Sequence, residues 1–568
     1  RGADAMAKRL PLFVAGGLVL WLLVQAFGGE PETAAPPVGT TEPRLDWIDP
    51  AFGSAPTEIE THSIQTGGLE PEARSFDLAA PPAPVETSQP APAIDRALER
   101  DLDDLVDSWY VHARDASKGK LAAADTKISV HVRDLATGAT LVNLRGARLM
   151  RPASNLKLVT SAAALVLMGA DGEHVTRVLL DPGAVRDGEL DGDLVVLAGG
   201  DPLVQDGSRG AVEGRLDSLA QALRSQGVRV VSGDLVLDED DFLEPGPGPA
   251  WPSSNQHWED YCALAAGLTI NAGVLEAQVV AGVPGGPASI DLHPVPHGLD
   301  QRLGVETVSG TLNDVRVGAT ARRVTVTGKL GARVGSVDTA FRHPDPVGLF
   351  GAVLRERLAR GGVEVQGDVV RRRGAAEGLE VVAELRSPIT DGLVPINTHS
   401  NNGVADQQFF TLGHLFGGGG TRTGGQAAMA LALERLGLDP GGLVQVDGSG
   451  LSRDNRVTPE QFTGLLVAVL QGLEHGEPTA ARYLDSLAVA GRTGTLAKRM
   501  RGGPAEGRAF AKTGFLDGTS GLSGLARTAD GRDLVFSILV NYPKIGGLNS
   551  SSWKPMQDAM VERLVAGP

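Results

Sequence analysis

The chain is short of several things that the simplest functional readings need. A single cysteine, Cys262, in 568 residues excludes an internal disulfide, a thiolate zinc cluster and iron–sulfur ligation. A lone thiol of this kind reads as a small buried side chain. The eleven histidines are scattered and contain no H-E-x-x-H pair, so no His-based metal site and no cofactor is expected. Basic charge is also scarce: 52 Lys and Arg against 69 Asp and Glu leave a formal net charge of −17. That balance argues against a nucleic-acid partner, which would need a basic face. The Gly-rich run Phe416–Gly425 lacks the G-K-[ST] ending of a phosphate loop and is read as a flexible turn between helices. No repeat of fixed period is present.

What is there begins with length. A chain of 568 residues is too long for one core, so two or more domains are expected. Lys8 and Arg9 precede an uncharged, largely apolar run from Leu10 to Gly29, which suits either a membrane anchor or a signal peptide with Val24-Gln25-Ala26 as a cleavage site. Residues 1–29 are therefore expected to export the protein or tether it to a membrane. Residues 30–93, rich in Pro and Ala, are expected as a disordered linker. The remainder is placed in the periplasm or cell envelope, and at the inner membrane if the first segment stays uncleaved. Helical periodicity starts near Ile94, a hairpin follows around Thr137-Gly138, and a buried helix runs from Pro152 to Gly169. Short β-like runs dominate 178–373, an inserted region of one or two subdomains. Residues 94–177 and 374–568 together form the other domain, whose end reads as a hairpin about Asp530-Gly531 and a last helix.

Three short motifs carry chemistry. In Ser154-Asn155-Leu156-Lys157, residues three apart share a helix face, so serine and lysine lie side by side. Serine is a weak nucleophile until a base takes its proton. A lysine with few routes to solvent has a lowered pKa and can be that base. Ser400-Asn401-Asn402 sits on a loop before an apolar helix, and Lys512-Thr513-Gly514 on a β-like run. S-x-x-K, S-x-N and K-T-G in this order are the signature of serine β-lactamases and penicillin-binding proteins. His399, beside Ser400, points to the opposite face of an extended segment and is not expected to be its base.

On these motifs, together with Gly199–Pro202, Ser232–Asp238, Trp258–Asp260 and Asp447–Arg453, the sequence resembles the low-molecular-mass class C penicillin-binding proteins, which are D-alanyl-D-alanine carboxypeptidases and endopeptidases. The resemblance runs from about Ile94 to Leu564. The long insert between the first and second motifs is a mark of this class that serine β-lactamases lack. It implies an α/β (α+β) fold, an antiparallel sheet flanked by helices with a β-rich insert. It also implies that Ser154 attacks the terminal D-alanine linkage of a peptidoglycan stem peptide, with Lys157 as base. Ser400 and Lys512 would relay a proton, and Asn402 would hydrogen-bond Lys157 or the substrate. Thr513, Lys512 and Gly514 would hold the terminal carboxylate, with the Ser154 and Phe515 N–H groups as the oxyanion hole. Asp260 and Arg453 would read the stem-peptide side chain. β-Lactam antibiotics would acylate Ser154 as covalent inhibitors. The alternatives are a D,D-endopeptidase of cross-links, a D-amino-acid amidase, or a catalytically weak peptidoglycan-binding envelope protein.

Two departures stand out. Phe515 occupies the position where the family commonly has Thr or Ser, so one hydroxyl for the carboxylate is lost. The segment after Asp260 is shorter than usual, which affects the side-chain pocket. A second triplet, Arg492-Thr493-Gly494, imitates K-T-G but follows a helix-like run and is read as a turn without a catalytic role.

Overall fold

The computed structural model describes residues 94–205, 215–243, 245–472 and 476–567. The stretches expected as signal peptide or anchor (1–29) and as linker (30–93) lie outside the described residues. Among the described residues, no helix is long and apolar enough to cross a membrane.

Helix α1 (Arg96–Ala116) starts at Asp95, whose side chain accepts the Ala97 and Leu98 N–H groups, a side-chain cap on free helix donors. Its buried face carries Leu98, Leu102, Val106 and Ala113. Strands β1 (Lys127–Asp134) and β2 (Thr140–Leu144) form the hairpin about Thr137-Gly138. Helix α2 (Lys157–Met168) follows a single 3-10 turn, Ala153–Leu156, and stops at Gly169 with φ +78. Three further helices are α3 (Asn402–Phe416), α4 (Arg422–Arg435) and α5 (Pro459–Leu470). Strands β3 (Ala488–Val489), β4 (Ala509–Leu516), β5 (Thr519–Arg527) and β6 (Asp533–Asn541) precede the closing helix α6 (Lys554–Ala566).

These strands make one six-stranded antiparallel sheet in the order β3-β4-β5-β6-β1-β2. Alternation along a strand sends successive side chains to opposite faces, and β6 uses both. Leu534, Phe536, Ile538 and Val540 pack with α1 and α6, whereas Val535 and Leu539 pack with α2 and α5. The sheet is thus the middle of three layers, buried on both sides. This is the α/β arrangement expected from the motifs.

Between α2 and α3 the chain leaves through strand Glu173–Leu180 and returns through Glu380–Pro388, which pair antiparallel. The excursion contains a five-stranded sheet, a four-stranded sheet of two-residue strands, and two three-stranded sheets. Helices Arg215–Ser225 and Pro346–Arg360 pack against them. The run from Val228 to Asp238, which looks like one strand in the sequence, is two. Val230–Val231 and Leu235–Asp238 belong to different sheets. The chain changes sheets at Gly233, where a Cβ would sit 2.5 Å from the Gly192 carbonyl oxygen.

Candidate active site

Ser154 stands on the 3-10 turn that feeds α2, directly after Ala153, whose φ is +48. The turn is clamped from two sides. Beneath it, a Cβ on Gly450 would lie 2.0 Å from the Ala153 carbonyl oxygen. Beside it, a Cβ on Gly514 of β4 would lie 2.5 Å from Asn155 Oδ1 and 2.6 Å from the Pro152 carbonyl oxygen. Asn155 turns away from Ser154 into the sheet, where its Nδ2 donates to Ser523 Oγ at 2.6 Å. The position of Ser154 is therefore set by close contacts that admit only glycine at Gly450 and Gly514.

Lys157 begins α2 and is fully buried. Its Nζ donates to Ser154 Oγ at 3.2 Å, to Asn402 Oδ1 at 2.6 Å and to the Ser449 carbonyl at 2.7 Å, which uses all three donors of an ammonium. Burial pushes its pKa down to about 8, against the raising influence of Asp406 and Asp447. Across the site, Lys512 of β4 donates to Ser400 Oγ at 2.8 Å and to the Thr513 carbonyl at 3.0 Å. Burial, and then the Lys157 cation, hold Lys512 well below the ordinary lysine range. Two buried amines at one cleft disfavour simultaneous protonation.

Ser400 sits between the short helix Leu393–Asn397 and α3 with φ +62, a conformation that costs a non-glycine residue energy and often marks a functional position. Asn401 caps α3 through its side chain, which accepts the Val404 N–H at 3.0 Å. Asn402 then projects in two directions: Oδ1 to Lys157, and Nδ2 to the Tyr261 carbonyl at 2.7 Å. That last bond ties the inserted region to the catalytic groups.

The cleft beside these groups has a volume of about 310 Å³ and is lined by Asp260, Tyr261, Glu276, His399, Ser400 and Thr495, among others. Asp260 thus faces the site. Arg453 does not line this cleft. Its guanidinium donates to the Asp517 carbonyl at 2.9 Å, in a separate hollow with Arg151 and Lys544. Thr513 is half-buried, its Oγ1 donating to Thr495 Oγ1 at 2.9 Å, and Phe515 is 57 % exposed. His399 lines the cleft, and burial lowers its pKa.

The second triplet is a turn, as expected. Arg492 packs against Gly507 and Thr493 Oγ1 accepts the Val489 N–H at 2.9 Å, both away from the chemistry. Gly494 and Thr495, however, form part of the cleft wall. A Cβ on Gly494 would lie 2.4 Å from the Thr398 carbonyl oxygen. The turn is therefore also a packed wall of the site, touching Thr513 through Thr495.

Several contributors lie outside the three chemical motifs. Ser449 supplies a carbonyl to Lys157, Tyr261 a carbonyl to Asn402, and Thr495 a hydroxyl to Thr513. Asp406 is 2 % exposed behind Lys157, with Oδ1 accepting the Ser449 N–H at 2.7 Å. A charged residue in the apolar helix α3, four positions after Asn402, was the one sequence signal available for it.

The chain can now be compared with known proteins. The D-Ala-D-Ala carboxypeptidase 3 (S13) family profile matches residues 115–566. The D-alanyl-D-alanine carboxypeptidase of Actinomadura sp. (strain R39) is 37 % identical over 457 residues, covering 77 % of this chain and 80 % of the relative. D-alanyl-D-alanine carboxypeptidase DacB of Haemophilus influenzae is 26 % identical over 427 residues, covering 72 % and 85 %. Among solved structures, penicillin binding protein 4 from Haemophilus influenzae superposes with a TM-score of 0.65 at 24 % identity, over 80 % of this chain and 99 % of that one. The same protein complexed with a β-lactam gives a TM-score of 0.60. This structural likeness establishes the shared fold.

Proposed function

We propose, from the premise that this chain belongs to the D-Ala-D-Ala carboxypeptidase 3 (S13) family, that it is a serine-type D-Ala-D-Ala carboxypeptidase of peptidoglycan working through an acyl-enzyme on Ser154. The observation that carries this reading is the placement of two serine–lysine pairs around one cleft: Lys157 on Ser154 at 3.2 Å and Lys512 on Ser400 at 2.8 Å.

Ser154 Oγ attacks the carbonyl carbon between the last two D-alanines, and its proton passes to the neutral amine of Lys157. Negative charge develops on the carbonyl oxygen and is met by the N–H groups of Ser154 and Phe515. As the C–N bond breaks, the proton held by Lys157 is handed on through Ser400, with Lys512 behind it, to the leaving amine, which leaves Lys157 neutral again and Ser400 protonated. Lys512, Thr513 and Gly514 hold the terminal carboxylate of the departing D-alanine, and Asn402 keeps Lys157 aligned. Water then attacks the ester carbonyl, losing a proton to Lys157, and Lys157 returns that proton to Ser154 Oγ as the acyl C–O bond breaks and the shortened peptide leaves. A β-lactam enters by the same first step and stays as a stable ester, as fits a relative whose fold has been solved with such a compound. Asp260 contacts the stem-peptide side chain from the cleft wall. Arg453 shares that role only if it leaves the Asp517 carbonyl.

The test is covalent labelling. A fluorescent penicillin incubated with the chain is expected to mark the intact protein on a denaturing gel and to leave the Ser154→Ala variant dark. An unlabelled wild-type chain sinks the acylation reading and leaves a peptidoglycan-binding envelope protein. Mass spectrometry of digested muropeptides separates loss of terminal D-alanine from cutting of cross-links or D-amino-acid amides. The substrate implies work outside the cytoplasm, with export or tethering through residues 1–29, and labelling of intact spheroplasts by an impermeant penicillin checks it.

A further inference from the structure

Asp406 is a buried carboxylate that the steps above leave unused. It follows Asn402 by one turn of α3, so both face Lys157. Its Oδ1 accepts the Ser449 N–H at 2.7 Å, and the carbonyl of the same Ser449 accepts from Lys157 Nζ at 2.7 Å. Its Oδ2 is buried and has no hydrogen-bond partner among the described residues. A carboxylate oxygen left in that state is expensive and calls for a purpose. Asp447, the other carboxylate nearby, is by contrast saturated. It accepts from the Gly450 and Ser452 N–H groups, Asn455 Nδ2 and Trp251 Nε1 at 2.9, 2.6, 2.8 and 3.3 Å. Those bonds make Asp447 a clamp for the Gly448–Arg453 loop. Asp406 is the carboxylate with capacity to spare.

We propose that Asp406 is the positioning residue of acylation: Oδ1 sets the Ser449 carbonyl against the Lys157 amine, and the charge on the unpaired side governs how readily that amine holds a proton. The inference rests on the serine-acylation reading and adds a residue to it. The charged groups involved come from several elements. Around Asp406 they are Lys157 of α2, Asp447 of the loop, Arg422 of α4, which shares a small hollow with it, and the Cys262 thiol of the insert. Around Lys157 they are Asp406, Asp447 and Lys512 of β4. Burial, with Asp447 adding, raises the Asp406 pKa, and burial lowers that of Lys157, so the two shifts move towards each other. Lys157 acts as a base only when neutral, so acylation falls as pH drops through its pKa. Negative charge at 406 raises that pKa, and removing the charge moves the acid limb to lower pH.

The test measures second-order acylation of the full chain by a fluorescent penicillin across roughly pH 5 to 10. Asp406→Asn keeps an acceptor for the Ser449 N–H and deletes only the charge. Its acid midpoint is expected about one pH unit below that of the unaltered chain, with the alkaline plateau within about threefold. Asp406→Ala loses the Ser449 anchor as well, and its plateau is expected to fall about tenfold or more. Asp406→Glu is expected to bring the midpoint back towards the unaltered value. A merely structural role lowers amplitude without moving the midpoint. An unmoved or raised midpoint in Asp406→Asn overturns the proposal even if the alanine variant fails to fold, and so does an alanine variant with the unaltered plateau. Failure of the unaltered chain to label at any pH overturns the acylation reading and this inference together. Normal labelling with an unmoved midpoint overturns this inference alone.

Discussion

Phe515 is 57 % exposed at the end of the Lys512-Thr513-Gly514 motif, where its side chain adds little to the core. The family resemblance leads to the expectation of a hydroxyl there, and a hydrogen bond to a charged group is worth about 1.5–3 kcal/mol. Phe515→Thr is therefore expected to raise kcat/KM on peptides ending in D-Ala-D-Ala about tenfold, equivalent to about 1.4 kcal/mol. Stability should stay within about 0.5 kcal/mol, as for other exposed positions. Steady-state kinetics on a synthetic stem peptide, with thermal melting as the control, checks it, and an unchanged or lower kcat/KM rejects the argument. At this scale the reacting groups were legible because each is a side chain of distinctive chemistry in a short spacing. Ser449, Tyr261 and Thr495 were not, because two of them act through backbone carbonyls, which every residue has. Asp406 was legible only as an anomaly, a charge inside an apolar helix. Arg453, a charge in the expected run, donates to the Asp517 carbonyl.

Among elements, β4 does the most for the site. Its first half is covered by β3, which pairs only with Phe510 and Ala511, while β5 pairs along its full length. From Lys512 onward the other edge carries no strand of the sheet, which leaves that side to the cleft. The sequence marks only a β-like run here; the two-residue β3 is too short to show periodicity. Gly514 brings this edge against the turn bearing Ser154, with the Pro152 carbonyl oxygen 2.6 Å from where a Cβ would be. Because the obstacle is backbone, it cannot rotate away. Gly514→Ala is expected to push β4 and the Ser154 turn apart, costing about 1–3 kcal/mol and lowering penicillin acylation about tenfold or more. Melting and labelling rates measured together check this, and an alanine variant that labels at the normal rate rejects the close-approach argument. The helix expected over Pro152–Gly169 is present from Lys157, but its first turn is 3-10. That tightening depends on the loop carrying Gly450 packed beneath it, a long-range contact no local pattern contains. The same holds at Gly233, where one apparent strand divides between two sheets.

For the molecule as a whole, the proposed function assigns chemistry and recognition to different parts of the layout. Ser154, Lys157, Ser400, Asn402 and Lys512 all lie on the six-stranded sheet or on the helices and loops packed against it, whereas Asp260, Tyr261 and Glu276 reach the cleft from the excursion between strands Glu173–Leu180 and Glu380–Pro388. The two parts meet through Asn402 and the Tyr261 carbonyl at 2.7 Å. A β-lactam needs only the reacting groups and the carboxylate site, so it engages the sheet side. A stem peptide is longer and also presents its side chains to the insert. Neutralising a carboxylate on the insert should then separate the two reactions. Asp260→Asn is expected to lower kcat/KM about tenfold or more on a stem peptide bearing a free amine, because a charge-assisted contact is removed. Penicillin acylation should change no more than about twofold, since no group that touches the reacting bond is altered. The decisive measurement is the ratio of the two rate constants in the variant against the unaltered chain. Equal losses in both would mean that the insert supports the fold of the site instead of selecting what enters it. A loss confined to the peptide, absent when the peptide's amine is acetylated, would place substrate selection in the insert and leave bond-breaking to the sheet.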